Sequence, residues 1–95
     1  MISIYEFADV IDTNLKLIRQ SNRNNRWIVR FEYSEIKEGM FLTGSYGSGS
    51  SPAEAILDYV QKIKGKLLVI NATSKEYRKE FQVPKDLYVV KGQYK

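Results

Sequence analysis

The run from Gly44 to Gly65 constrains the fold most, because a Gly/Ser-rich stretch there feeds directly into an amphipathic helix and then into a strand. Ser51 is a good N-cap, and Glu54 three residues later completes a capping-box pattern. Pro52 falls at the first helical position, where its missing N–H costs nothing and its fixed φ suits the helix. Ile56, Tyr59, Val60 and Ile63 recur at helical spacing and make one apolar stripe. Lys62 and Lys64 complement the dipole in the last turn, and Gly65 is a natural stop. The continuous apolar run Leu67-Leu68-Val69-Ile70 follows at once and predicts a strand central in a sheet or covered on both faces. A stripe that must be buried, next to such a strand, calls for a helix lying on a sheet.

The rest of the chain fits that frame. Ser3 and Glu6 form a second capping box, and Ile4, Phe7, Val10 and Ile11 share a face, so a helix is expected from about Ile4 to Asp12. Weak alternation predicts a strand over Asn14 to Gln20, followed by a polar turn at Ser21 to Asn25. The clearest strand pattern is Arg26 to Tyr33, with Trp27, Val29, Phe31 and Tyr33 on one face and Ile28, Arg30 and Glu32 on the other. Ser34 to Gly39 reads as a charged turn, and Met40 to Tyr46 as a strand returning beside Arg26 to Tyr33. After a connection, Tyr77 to Val83 alternates like an edge strand that Pro84 ends. Leu87 to Val90 adds a short extended piece. The expectation is an α+β fold in the order α-β-β-β-α-β-β, with one antiparallel sheet of four to five strands packed on one side by two helices. Residues 1–90 make a single domain and 91–95 a flexible tail. The expected core combines Phe7, Ile11, Trp27, Val29, Phe31, Leu42, Ile56, Val60, Ile63, Leu68 and Ile70.

Composition narrows the chemistry. The 95 residues include no Cys and no His. That excludes disulfides, thiolate metal sites, a Cys nucleophile and the commonest general base. Serines at 45, 48, 50 and 51 therefore lack an activating imidazole, so a non-enzymatic protein without metal or cofactor is expected. No apolar run approaches the ~20 residues that span a bilayer, so the chain is expected to be cytoplasmic and to need no membrane. The net charge of +4 favours an anionic partner. Arg19, Arg23, Arg26 and Arg30 cluster around the first pair of strands, with Trp27 among them, and could hold phosphates and stack bases. Glu32, Glu35 and Glu38 interrupt that basic set. Tyr46, Ser48 and Ser50 mark the Gly/Ser loop, whose amides before a helix could cradle a nucleotide phosphate. No Gly-Lys-Ser/Thr follows, so it is not a Walker loop. The exposed last strand leaves open pairing with a second copy as a homodimer.

Two resemblances add context. Gly49-Ser50-Ser51-Pro52-Ala53-Glu54-Ala55-Ile56, with the strands before it, resembles part of the HicB-like antitoxin fold, whose hairpin and Gly-containing loop precede a helix opening in this way. Tyr46 to Val69 as a whole is similar to small proteins of phages and prophages of Gram-positive bacteria. That likeness implies an accessory factor acting by stoichiometric binding in a bacterial host. Its partner would be a host protein such as a defence nuclease, as for an anti-CRISPR inhibitor.

Overall fold

The computed structural model describes residues 1–20 and 26–90; the expected turn at Ser21 to Asn25 and the expected tail at 91–95 lie outside them. The fold is α+β, with two helices and two antiparallel sheets. Helix α1 spans Ile4–Val10, β1 Leu15–Gln20, β2 Arg26–Phe31, β3 Ser34–Glu38, β4 Phe41–Thr43 and β5 Gly47–Gly49. Helix α2 spans Pro52–Ile63, followed by β6 at Leu67–Ile70 and β7 at Lys79–Gln82. One sheet has the order β1-β2-β5 and the other β4-β3-β6-β7.

Local chemistry accounts for both helices. In α1 the Ser3 hydroxyl accepts from the Glu6 amide at 3.1 Å, and the Glu6 carboxylate accepts from the Ser3 amide at 3.2 Å, a complete capping box. Ile4, Phe7 and the C-cap Ile11 are buried, whereas Val10, expected inward, is exposed. Ile4, Phe7 and Ile11 fall within about 60° of one another around the helix axis, and Val10 lies outside that arc, about 60° beyond Phe7. Helix α2 begins on Ser51 and Pro52 as expected, and it buries Ala55, Ile56, Tyr59, Val60 and Ile63. The Phe31 ring ties the helices together, at 6.0 Å from Phe7 and 5.8 Å from Tyr59.

The strands depart from the single expected sheet in a definite way. The long strand Arg26 to Tyr33 stops at Phe31, because Tyr33 turns into the left-handed region at φ 56°. The chain then enters the second sheet. The charged turn expected at Ser34 to Gly39 is instead β3, which alternates buried Ser34 and Ile36 with less buried Glu35 and Lys37. Its long-range partner is β6, with Ser34 opposite Ile70 and Ile36 opposite Leu68. Met40 to Tyr46 does not return beside β2; its Phe41–Thr43 segment pairs with β3. The strand beside β2 is β5, drawn from the Gly/Ser stretch, with Gly47 opposite Val29 and Gly49 opposite Trp27. β6 is an interior strand between β3 and β7, as its apolar run predicts. The C-terminal piece is extended at Tyr88, whose carbonyl accepts from the Ile4 amide at 2.9 Å and whose amide donates to Ile2.

The buried cluster contains Phe7, Ile11, Val29, Phe31, Ile56, Val60, Ile63, Leu68 and Ile70 from the expected core. Trp27 only packs against its margin, and Leu42 lies at the surface on the short strand β4.

Candidate functional site

The predicted site residues separate into two places. Arg26 and Arg30 lie on β2, and Lys16 stands opposite Arg30 on β1. Strand alternation puts Lys16, Arg26 and Arg30 on the sheet face turned away from buried Val29 and Phe31. Beside them a cleft of about 200 Å³ is lined by Lys16, Ile18, Arg30, Glu32 and Tyr33. Arg19 is on the opposite face, with its guanidinium 5.8 Å from the centre of the Trp27 ring. Arg23 lies outside the described residues.

Tyr46, Ser48 and Ser50 sit at the other edge of the same sheet, where α2 covers β5. In an antiparallel ladder, alternate residues aim their backbone groups at alternate sides. Gly47 and Gly49 bond to β2, so Tyr46, Ser48 and Ser50 face outward. Side chains of α2 meet all three. The Ser50 amide donates to the Glu54 carboxylate at 3.0 Å, and the Ser48 amide donates to Asp58 at 2.9 Å. The Lys62 ammonium donates to the Tyr46 carbonyl at 3.2 Å. The Ser50 hydroxyl bonds to the same Glu54 oxygen. Glu54, Asp58 and Lys62 are four residues apart, about 6 Å along a helix, and the strand groups are two residues apart, about 6.6 Å along a strand. The two repeats match closely enough for three consecutive contacts. Lys62 also bridges to Asp58 at 3.0 Å and lies 5.5 Å from the Tyr46 ring centre.

This arrangement accounts for the Gly/Ser composition. A Cβ on Gly47 would lie 2.5 Å from Tyr59 Cβ and closer still to the Ala55 carbonyl. A Cβ on Gly49 would lie 2.5 Å from Glu54 Cβ and 2.7 Å from the Ala55 amide. Only glycine allows β5 to approach the helix this closely. The capping box expected at Ser51 is half formed: its hydroxyl accepts from the Glu54 amide at 3.2 Å, but the Glu54 carboxylate reaches back to Ser50 instead. The phosphate cradle expected of this loop therefore has two of its amides already bound to carboxylates of the protein.

The electrostatics follow. The Ser50 hydroxyl and amide hold the Glu54 carboxyl below its ordinary range. Burial pushes Asp58 up, but the Ser48 amide and Lys62 outweigh it and leave that carboxyl lowered. Where β5 ends, the Tyr59 hydroxyl accepts from the buried Phe31 amide at 3.0 Å and takes the place of a further strand residue. Burial raises the Tyr59 phenol above its usual value, so it stays protonated.

A third surface was not among the predicted site residues. At the turn between β3 and β4, Met40 is 95% exposed, Phe41 76% and Leu42 36%. The signal was present in the sequence as three apolar residues after Gly39, but they were expected in a strand beside Arg26 to Tyr33, with Leu42 in the core. Charged neighbours surround the tip, with Lys66 3.3 Å from Glu38 and Lys37 3.9 Å from Glu80.

No protein-family model, curated protein sequence or solved structure matches the chain. Among the described residues, no helix is long and apolar enough to cross a membrane.

Proposed function

We propose that this chain is a small non-enzymatic binding protein that acts stoichiometrically on another protein. The observation that supports this reading is the apolar tip Met40-Phe41-Leu42, held out of the core on the β3–β4 turn. Exposed apolar groups rimmed by charge mark protein contacts, and Met and Phe are enriched at the centres of such contacts. The tip would seat in an apolar pocket of the partner. The likeness of Tyr46 to Val69 to small phage proteins extends the proposal: the partner is a bacterial defence component, such as a CRISPR nuclease, in the host cytoplasm. Affinity capture from bacterial lysate tests it, with the Met40→Ser/Phe41→Ser double variant as control. The expected result is a partner retained in equimolar amount by the native chain and at least about 30-fold less by the variant, as for loss of an anchor residue. Equal retention by both, or no partner, counts against the proposal.

The basic face supports a second reading, nucleic-acid binding, because Lys16, Arg26 and Arg30 share one sheet face beside exposed Tyr33. Anisotropy with short DNA and RNA should then show affinity that falls steeply with salt and drops for Arg30→Ala. Absence of binding at low salt removes this reading.

A further inference from the structure

The two ends of the β1-β2-β5 sheet are treated very differently. β5 is covered by α2, whereas among the described residues nothing pairs with the outer side of β1. The Glu32 amide donates to the Asn14 carbonyl at 3.0 Å, which places Asn14 and every second residue after it in the bonds to β2. Leu15, Leu17 and Arg19 therefore aim their amides and carbonyls away from the sheet, and no described residue bonds to them. The other edges offer less. By the same alternation β4 turns only Leu42 outward, and β7 turns out Glu80 and Gln82, with Glu80 held by Arg78 at 2.8 Å. The apolar side chains of Leu17 and Ile18 are 36% and 41% exposed beside the open groups. A strand of this length, with unpaired backbone and apolar side chains, is a template for another strand.

We propose that β1 pairs antiparallel with β1 of a second copy, making one continuous six-stranded sheet across a two-fold axis at Leu17. The pattern of outward groups specifies the partner. Leu15, Leu17 and Arg19 are symmetric about Leu17, so the strand is its own antiparallel complement. Leu17 meets Leu17 of the copy, and Leu15 meets Arg19 of the copy. All three amides and all three carbonyls then find partners. A shift of two residues either way leaves one outward residue with no strand residue to meet. Charge fits the same register. Lys16 stands opposite Ile18 of the copy and Arg19 opposite Leu15, so no cation faces a cation directly. Leu15 and Leu17 lie on the face of Val29 and Phe31, so pairing extends the apolar side of one sheet into that of the other. It also doubles the basic outer face carrying Lys16 and Arg30.

Sedimentation equilibrium of the full chain at concentrations up to about 1 mM tests the proposal. The native protein should approach twice its 11.0 kDa mass. Leu17→Pro removes an outward amide and no bond to β2, and Leu17→Lys and Leu17→Glu each put like charges face to face at the axis. All three should sediment as monomers with the native circular dichroism spectrum. Mixing Leu17→Lys with Leu17→Glu should restore the dimer, because position 17 meets itself only in the proposed register. Three results would each overturn the proposal: a native monomer throughout, a dimer that survives the Leu17 substitutions, or variants that stay monomeric when mixed.

Discussion

β5 and β1 bound the same sheet, yet they solve the edge problem in opposite ways. β5 is three residues long and has almost no side chains, but its outward Ser48 amide, with the Ser50 amide and Tyr46 carbonyl that flank the strand, is met by Asp58, Glu54 and Lys62. β1 is six residues long, has large side chains, and its outward groups have no backbone partner among the described residues. Sealing by side chains requires a helix close enough to reach and a spacing that keeps step with the strand. Helix α2 has both at β5, because glycine removes the atoms that would hold it away. Nothing comparable lies beside β1 among the described residues. The difference teaches that a Gly/Ser-rich stretch before a helix can be an edge strand under a helix, with its amides committed internally, rather than a loop awaiting a ligand.

The sharpest way to break the comparison is to separate the helix from its strand. Gly47→Ala places a methyl group against the backbone of Ala55 and Tyr59, which cannot move without shifting α2. The expected loss is about 3 kcal/mol or more, the upper end for overpacking. Urea denaturation checks it, and a loss below about 1 kcal/mol, smaller than ordinary overpacking, would mean that β5 and α2 are not in close contact. Next in size is Tyr59→Phe. The ring stays packed against Phe31, but the buried Phe31 amide loses its acceptor. An unsatisfied buried donor costs about 1–3 kcal/mol, so unfolding should occur at correspondingly lower urea with an unchanged slope.

The residues themselves show how much of this was legible. Ser3 and Glu6, and Ser51 with Pro52, announce both helices because capping is local chemistry, encoded within four positions. Leu67 to Ile70 announces an interior strand because burial on both faces needs apolar residues at every position. β3 was missed because Ser-Glu-Ile-Lys-Glu has a single apolar side chain, and its pairing with β6 lies some thirty residues away. β5 was missed because glycine carries no pattern at all. Its assignment depends on pairing with β2, about twenty residues earlier in the chain, while α2 folds back over it. For the candidate site, alternation along β2 puts Arg26 and Arg30 on one face, and the register with β1, which no local pattern specifies, adds Lys16. Tyr46, Ser48 and Ser50, read as a separate loop site, have backbone groups bound by Lys62, Asp58 and Glu54 of α2, contacts that a loop reading does not contain.

The sealed edge also has a pH signature. Glu54 and Asp58 titrate lower in the folded chain than in the unfolded one. Their contribution is complete above the ordinary carboxylate range and is lost as pH falls through the lowered folded values. Stability should thus hold between about pH 7 and pH 5 and decline below about pH 4. Asp58→Asn should flatten part of that decline and cost about 1 kcal/mol near neutrality, since it weakens the bond to Ser48 and the pairing with Lys62. Melting temperature against pH for both proteins is the measurement; parallel acid limbs would show that Asp58 does not seal the edge.

The smallest effect belongs to the open edge. Arg19 reaches over Trp27, but both lie at the sheet margin where water screens the contact. An exposed cation–π contact contributes about 0.5–1 kcal/mol, and glutamine keeps much of the stem that packs on the ring. Arg19→Gln should therefore shift stability by no more than about 0.5 kcal/mol when measured in the monomeric Leu17→Lys background, where pairing with a copy is absent. The background matters because Arg19 opposes Leu15 of the copy in the proposed dimer, so the same substitution in the native chain also changes association. A loss in the monomer as large as that for Asp58→Asn would mean that Arg19 secures β1 as firmly as α2 secures β5, and the contrast between the two edges would disappear.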